Sequence, residues 1–220
     1  MVSSTVYSYA TVDATMPLNP IPHVRSVVHR TFISPSENTH LLAFTTDVRT
    51  PKVKEAVKGS DSRGEIMWWI AGSSEQYRFN GVVHILPHPA HPLAKIFPAE
   101  RLAPEKAEDG GSWDWEKERL RLFDEKMSPD LRASFVRPAP DTVLQSYDEA
   151  GKWPQTLPKS YEIEEGDGKT KALVEEALRN FSVVVFEPQQ VDWVELGVVP
   201  NRRTKFEKTG EEWKEWIVVP

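Results

Sequence analysis

The run His23-Val24-Arg25-Ser26-Val27-Val28-His29-Arg30-Thr31-Phe32 constrains this chain most, because it reads as a β-strand while carrying two imidazoles and two guanidiniums. Strand side chains alternate between the two faces of a sheet. Arg25, Val27 and His29 are therefore expected on one face, and Ser26, Val28 and Arg30 on the other. An inner strand with a guanidinium on each side needs an anion nearby, since an unpaired buried charge is strongly unfavourable. A phosphate-bearing ligand meets that need.

Other strand signals surround this one. Residues 6–12 alternate as a first strand, and a proline-spaced connector at 16–22 leads into the arginine strand. After the turn-forming residues 34–38, residues 41–46 return as a third strand, antiparallel to the second. Thr50-Pro51 opens a helix, with threonine in the N-cap position, Val53, Ala56 and Val57 as its apolar stripe and Gly59 as its stop. The start of that helix, with Lys52 in its first turn, is a ready anion site. Residues 65–72 and 75–86 form a further hairpin about Gly72-Ser73-Ser74. Its return strand sets Gln76, Arg78 and Asn80 on one face and Tyr77 and Phe79 on the other, and Gly81 implies a bulge or a close backbone approach.

Prolines at 87, 89, 92, 98 and 104 predict a loop or extended edge over 87–112. Trp115, Arg119, Leu122 and Phe123 then recur at helical spacing, and a short helix follows Ser128 at 129–135. Residues 136–168 are proline-rich and polar; 169–181 predict a helix with Ala172, Leu173, Ala177 and Leu178 on its apolar stripe. The clearest buried strand is 181–187, followed by strands at 191–196, 202–207 and 213–219. This pattern predicts a mainly β protein, an antiparallel β-barrel with helices at the barrel ends, as one domain over 1–220 with a helical and loop insertion at about 87–180.

A net charge of -6 argues against a general nucleic-acid binder, so an anion site must be local. The absence of cysteine excludes disulfides, thiol catalysis and cysteine-ligated metals. No apolar run is long enough to span a membrane, and a soluble cytoplasmic protein is the simplest expectation. His84, His88 and His91 lie close in sequence, but Pro87 and Pro89 break any helical metal-ligand spacing, so no metal is expected.

Four polar clusters share one order: Arg25 with Arg30, Thr45-Thr46 leading to Thr50 and Lys52, Gln76 with Arg78, and Asn201-Arg202-Arg203. With FTTDVRTPK at 44–52, EQYRFNG at 75–81, VDWVEL at 191–196, PNRR at 200–203 and the terminal WKEWIVVP, the chain resembles the pyridoxamine 5'-phosphate oxidase-like FMN-binding split-barrel family, in its non-classical branch. The resemblance implies that FMN is the cofactor, that Arg25, Thr50 and Lys52 hold its phosphate, and that Thr45 and Thr46 line the ribityl and ring region. It further implies that Val27, Val28 and Gln76 contact the flavin and that Arg30 stands near both flavin and substrate. FMN lies between two subunits in that family, so a homodimer is implied, with Asn201 and Arg202 on the substrate side and Lys205 on the cofactor. Taken alone, Arg25 reads as one half of a structural salt bridge; the ordered set of motifs favours phosphate.

The chain also departs from the true oxidase. Glu195-Leu196-Gly197 stand where a tryptophan is expected, with Trp193 as a stand-in, and Thr204 replaces a histidine. No helical substrate-phosphate motif is recognisable in 113–135, although Arg119, Arg121 and Arg132 are available. The implied activity is an FMN-dependent oxidoreductase acting on a small anionic substrate; the alternative is a non-catalytic flavin-binding or flavin-storing protein.

Overall fold

Among the described residues, eight strands form one sheet in the order β3-β2-β1-β4-β5-β6-β7-β8, with a further β3–β6 pairing that closes the first six into a ring. They are β1 (Val6–Asp13), β2 (Ile21–Ser36), β3 (Thr39–Asp47), β4 (Arg63–Ile70), β5 (Glu75–Leu86), β6 (Phe181–Glu195), β7 (Arg202–Thr209) and β8 (Glu212–Val218). This computed structural model describes residues 5–14, 18–58, 62–106, 110–210 and 212–220. The chain divides into a unit made of Met1–Phe44, Lys54–His84 and Val184–Pro220, and a second made of Thr45–Val53 and Ile85–Val183. The expected mainly β, antiparallel fold is the one observed. Helix α1 (Pro51–Lys58) follows Thr50 as its sequence predicts, while Gly59 lies outside the described residues.

In the first unit, alternating residues fill the ring: Tyr9, Leu41, Phe44, Ile66, Val185 and Phe186 are buried. Three features differ from expectation. The predicted strands at 181–187 and 191–196 are one strand, β6, because no turn-forming pair separates them and Pro188 tolerates extended backbone. Strand β2 runs on through Pro35 to Ser36, tied across the hairpin by the 2.7 Å Ser34 Oγ–His40 Nδ1 contact, so the connecting turn is shorter than 34–38. The β2–β3 pairing also slips at Arg30: His29 faces Phe44, but Thr31 faces Ala43. This bulge interrupts the strict alternation from which opposite faces were assigned to Arg25 and Arg30. Gly81 marks a close backbone approach, since a Cβ there would lie 2.1 Å from the Glu187 carbonyl oxygen.

The second unit is helical: α2 (Ala99–Leu102), α3 (Trp115–Lys126), α4 (Pro129–Ser134) and α5 (Gly168–Asn180). Phe181 packs edge-on against Phe123 and Phe135, each at 5.2 Å between ring centres. The stretch 87–112 holds more structure than its prolines suggest, with a 3-10 turn at Pro92–Ile96 and α2. Proline opens that 3-10 turn, where its missing N–H costs nothing. A second 3-10 turn, Tyr147–Lys152, starts from a capping box between Ser146 and Glu149. Ser128 precedes α4 without a capping side-chain bond. On α5 the buried positions are Val174 and Ala177, and the expected Ala172 is exposed.

Candidate functional site

Within the second unit, the segment from Thr45 to Val53 folds into a tight polar knot. Asp47 Oδ1 accepts from the Arg49 backbone N–H at 2.8 Å, and its carboxylate takes the Arg49 guanidinium through Nε at 2.9 Å and NH2 at 2.6 Å. Arg49 NH2 also reaches the carbonyls of Phe135 and Arg137. The turn so fixed brings Thr50 Oγ1 to the Asp47 carbonyl at 2.8 Å and to Thr46 Oγ1 at 3.3 Å. Lys52 Nζ donates to Thr46 Oγ1 at 3.0 Å. An ammonium and two buried hydroxyls therefore converge at the first turn of α1, where both hydroxyls donate to the Asp47 carbonyl and must rotate to meet a phosphate oxygen, while Lys52 brings the positive charge. The Thr45 hydroxyl meets Met127 Sδ at 3.4 Å.

In the first unit, Arg25 is held inside a network that sequence reasoning did not find. Its NH1 donates to Thr11 Oγ1 at 2.6 Å, to the His23 carbonyl at 3.2 Å and to the Tyr9 carbonyl at 3.4 Å. Its NH2 pairs with Glu55 Oε2 at 3.1 Å, so the salt-bridge reading of Arg25 describes its contacts here. Glu55, whose side chain is 5 % exposed, also accepts from Thr11 and lies 2.8 Å from His23 Nδ1. Burial pushes the Glu55 carboxyl up, but the bonds from Thr11, His23 and Arg25 outweigh it and leave the group below its ordinary value. Arg30 is half-buried at the bulge, and burial draws its guanidinium below the usual range. Val27 pairs with Tyr7, and Val28 with Val6 on the exposed face.

The same unit carries a polar wall across β5 to β8. Asp192 receives the Arg203 fork at 2.9 and 2.8 Å and also the Arg78 NH2. The Arg203 bonds, reinforced by Arg78, outweigh partial burial and hold the Asp192 carboxyl at about 2 against an ordinary 3.8. Lys205 lies between Asp192 and Trp216 in the strand register, and these residues line a cavity of about 380 Å³ with Arg78, Asn80 and Gln190. Because the folded-state value is depressed, the stabilisation from Asp192 is present above pH 3.8 and fades as pH falls towards about 2. Wild-type protein should thus lose about 1–2 kcal/mol more than Asp192→Asn over that window, read from urea midpoints at a series of pH values.

The remaining expected residues are placed as follows. Gln76 pairs with Trp69 and is half-buried, whereas Asn201 and Arg202 are exposed at the start of β7, after a cis Val199–Pro200 bond. Arg203, not Arg202, makes the ion pair with Asp192. Trp193 stacks on Tyr77 at 6.0 Å and donates to Glu75. Arg119 and Arg132, considered for substrate contacts, are buried and spend their donors on the carbonyls of Leu178 and Phe181, and of Leu157 and Met127. Arg121 pairs with Glu118. His84 pairs with Glu187, while the Nδ1 atoms of His88 and His91 accept local backbone N–H groups. No group of three potential metal ligands occurs among the described residues, and no described helix is long and apolar enough to cross a membrane.

Both part of the sequence and the fold have counterparts among known proteins. Residues 1–87 match the family model described as pyridoxamine 5'-phosphate oxidase, FMN-binding domain. Among solved structures, the chain is similar to a pyridoxamine 5'-phosphate oxidase-related, FMN binding protein from Nostoc punctiforme. That match has 22 % identity and a TM-score of 0.64, and covers 99 % of this chain and 89 % of the other. It is also similar to PhzG from Burkholderia lata, solved with tetrahydrophenazine-1-carboxylic acid, at 14 % identity and a TM-score of 0.58 over 99 % and 83 % of the two chains. No curated protein matches. Residues 1–87 thus match a pyridoxamine 5'-phosphate oxidase FMN-binding domain, and over nearly its whole length the chain shares the split-barrel fold of these solved structures.

Proposed function

We propose that the protein binds FMN and works as an FMN-dependent oxidoreductase on a small anionic substrate. The observation that carries the reading is the convergence of Lys52 Nζ, Thr46 Oγ1 and Thr50 Oγ1 at the start of α1, inside the segment matched to an FMN-binding domain. FMN, when bound, supplies a ring that accepts a hydride. The chain's own groups bind and orient it. Thr50 and Lys52 hold the phosphate together with Arg25, Thr46 and Thr45 line the ribityl side, and Val27, Val28, Gln76 and Lys205 contact the rest. Arg30, Asn201 and Arg202 attract the anionic substrate. A homodimer is part of the proposal. Val6 and Val12 of β1 and Val24 and Val28 of β2 make an exposed face in register, Val24 being 71 % exposed, and Ser8, Ala10 and Ser26 leave it without charge.

The first test is the absorbance spectrum of the purified protein with mass identification of any released cofactor. Lys52→Met should weaken FMN binding by about tenfold or more while leaving riboflavin, which lacks the phosphate, unaffected. Equal losses for both ligands would move Lys52 away from the phosphate. Turnover is tested by stopped-flow reduction of the bound flavin with pyridoxine 5'-phosphate, pyridoxamine 5'-phosphate or reduced nicotinamides. A second reading, a flavin carrier without turnover, is favoured by Arg119 and Arg132, whose guanidiniums are committed to backbone carbonyls rather than to a substrate. It predicts bound flavin that none of these reductants bleaches.

A further inference from the structure

Arg25 brings one positive charge to the expected phosphate position, yet that charge is already matched. Its NH2 lies 3.1 Å from Glu55 Oε2, its NH1 is shared among Thr11, His23 and Tyr9, and its guanidinium sits 5.6 Å from the centre of the Tyr9 ring. Glu55 is fixed in turn. Thr11 donates to one of its oxygens, His23 Nδ1 lies 2.8 Å from the other, and the side chain is 5 % exposed, so it has no solvent to swing into. The same bonds keep it ionised. An anion arriving at Arg25 therefore meets a guanidinium and a fixed carboxylate together, and attraction to the first is offset by repulsion from the second.

We propose that Glu55 is a specificity-determining residue that limits how strongly Arg25 discriminates a phosphorylated flavin from an unphosphorylated one. The inference rests on the reading that Arg25 faces the FMN phosphate, and it adds a regulator of that contact which lies 30 residues away in sequence. Glu55 acts through Arg25 rather than on the ligand, and its effect is confined to the charged end of the flavin. Glu55→Gln keeps the size of the side chain and an oxygen able to accept from Arg25, but removes the competing charge.

The test is a fluorescence titration of FMN and of riboflavin into wild-type protein and Glu55→Gln. The ratio of FMN to riboflavin affinity should rise about tenfold in the variant, with riboflavin affinity unchanged. A general structural role would shift both ligands alike, and an unchanged or lower ratio overturns the proposal. If Glu55→Gln does not fold, Glu55→Asp draws the carboxylate back by one methylene and should move the ratio in the same direction by less. Binding of neither flavin to the wild type overturns both this inference and the FMN reading, whereas binding of both with a fixed ratio overturns the role of Glu55 alone.

Discussion

Gly81→Ala should lower the stability of the protein by about 3–4 kcal/mol, seen as a large drop in the urea midpoint. The added Cβ would stand 2.1 Å from the Glu187 carbonyl oxygen, 2.9 Å from its carbon and 3.0 Å from Phe186 Cε1. Two of those three obstacles are backbone, so no rotamer change relieves them, and β5 must part from β6, its neighbour in the sheet. The strain falls on a strand that also carries Gln76 and Arg78, so any flavin affinity should decline with stability. Gly151→Ala is the matched control. Nothing lies within 4 Å of its added methyl, and the change should stay within about 0.5 kcal/mol. Similar midpoints for the two variants would mean that the β5–β6 approach is looser than described.

Arg119→Met should cost about 3 kcal/mol. Arg119 is 0 % exposed although it belongs to a helix rich in charge. Its Nε and NH2 take the Glu116 carboxylate at 2.7 Å each, and its NH1 ties the carbonyls of Leu178 and Phe181, at 3.0 and 3.2 Å, to α3. Those carbonyls end α5 and begin β6, so the guanidinium fastens the C-terminus of one helix to the flank of another. Methionine fills the volume but leaves both acceptors buried and unpaired, which costs more than the lost ion pair with partly exposed Glu116. Lys159→Met, which removes an ion pair with exposed Glu125, should leave the midpoint almost unmoved. Equal effects would show that the Arg119 site admits water.

Most of the sheet was legible because its signals are local. Alternation marked β1 and β5; Thr50-Pro51 marked α1; and Gly81 marked a bulge or a close contact, the second being the one found. The capping box at Ser146 and Glu149 was equally local, and the polar, proline-rich composition around it concealed it. The apolar stripe of α5 was misassigned at Ala172 because small residues fit either side of a helix, and only packing selected Val174.

The candidate site divides along the same line. Thr50 and Lys52 stand within the first turn of α1, so an anion site there could be read locally, whereas Thr46 entered through the resemblance and the Asp47–Arg49 pair that fixes the turn was not anticipated. Glu55 is 30 residues from Arg25 and 44 from Thr11, and Asp192 is 114 from Arg78, and no periodicity connects such pairs. The order of residues by itself determined the strands, the helix start and the presence of anion-binding groups, all set by backbone geometry within a few residues. Only the tertiary structure decided which charges are already matched, because a carboxylate finds its guanidinium through strand register and packing.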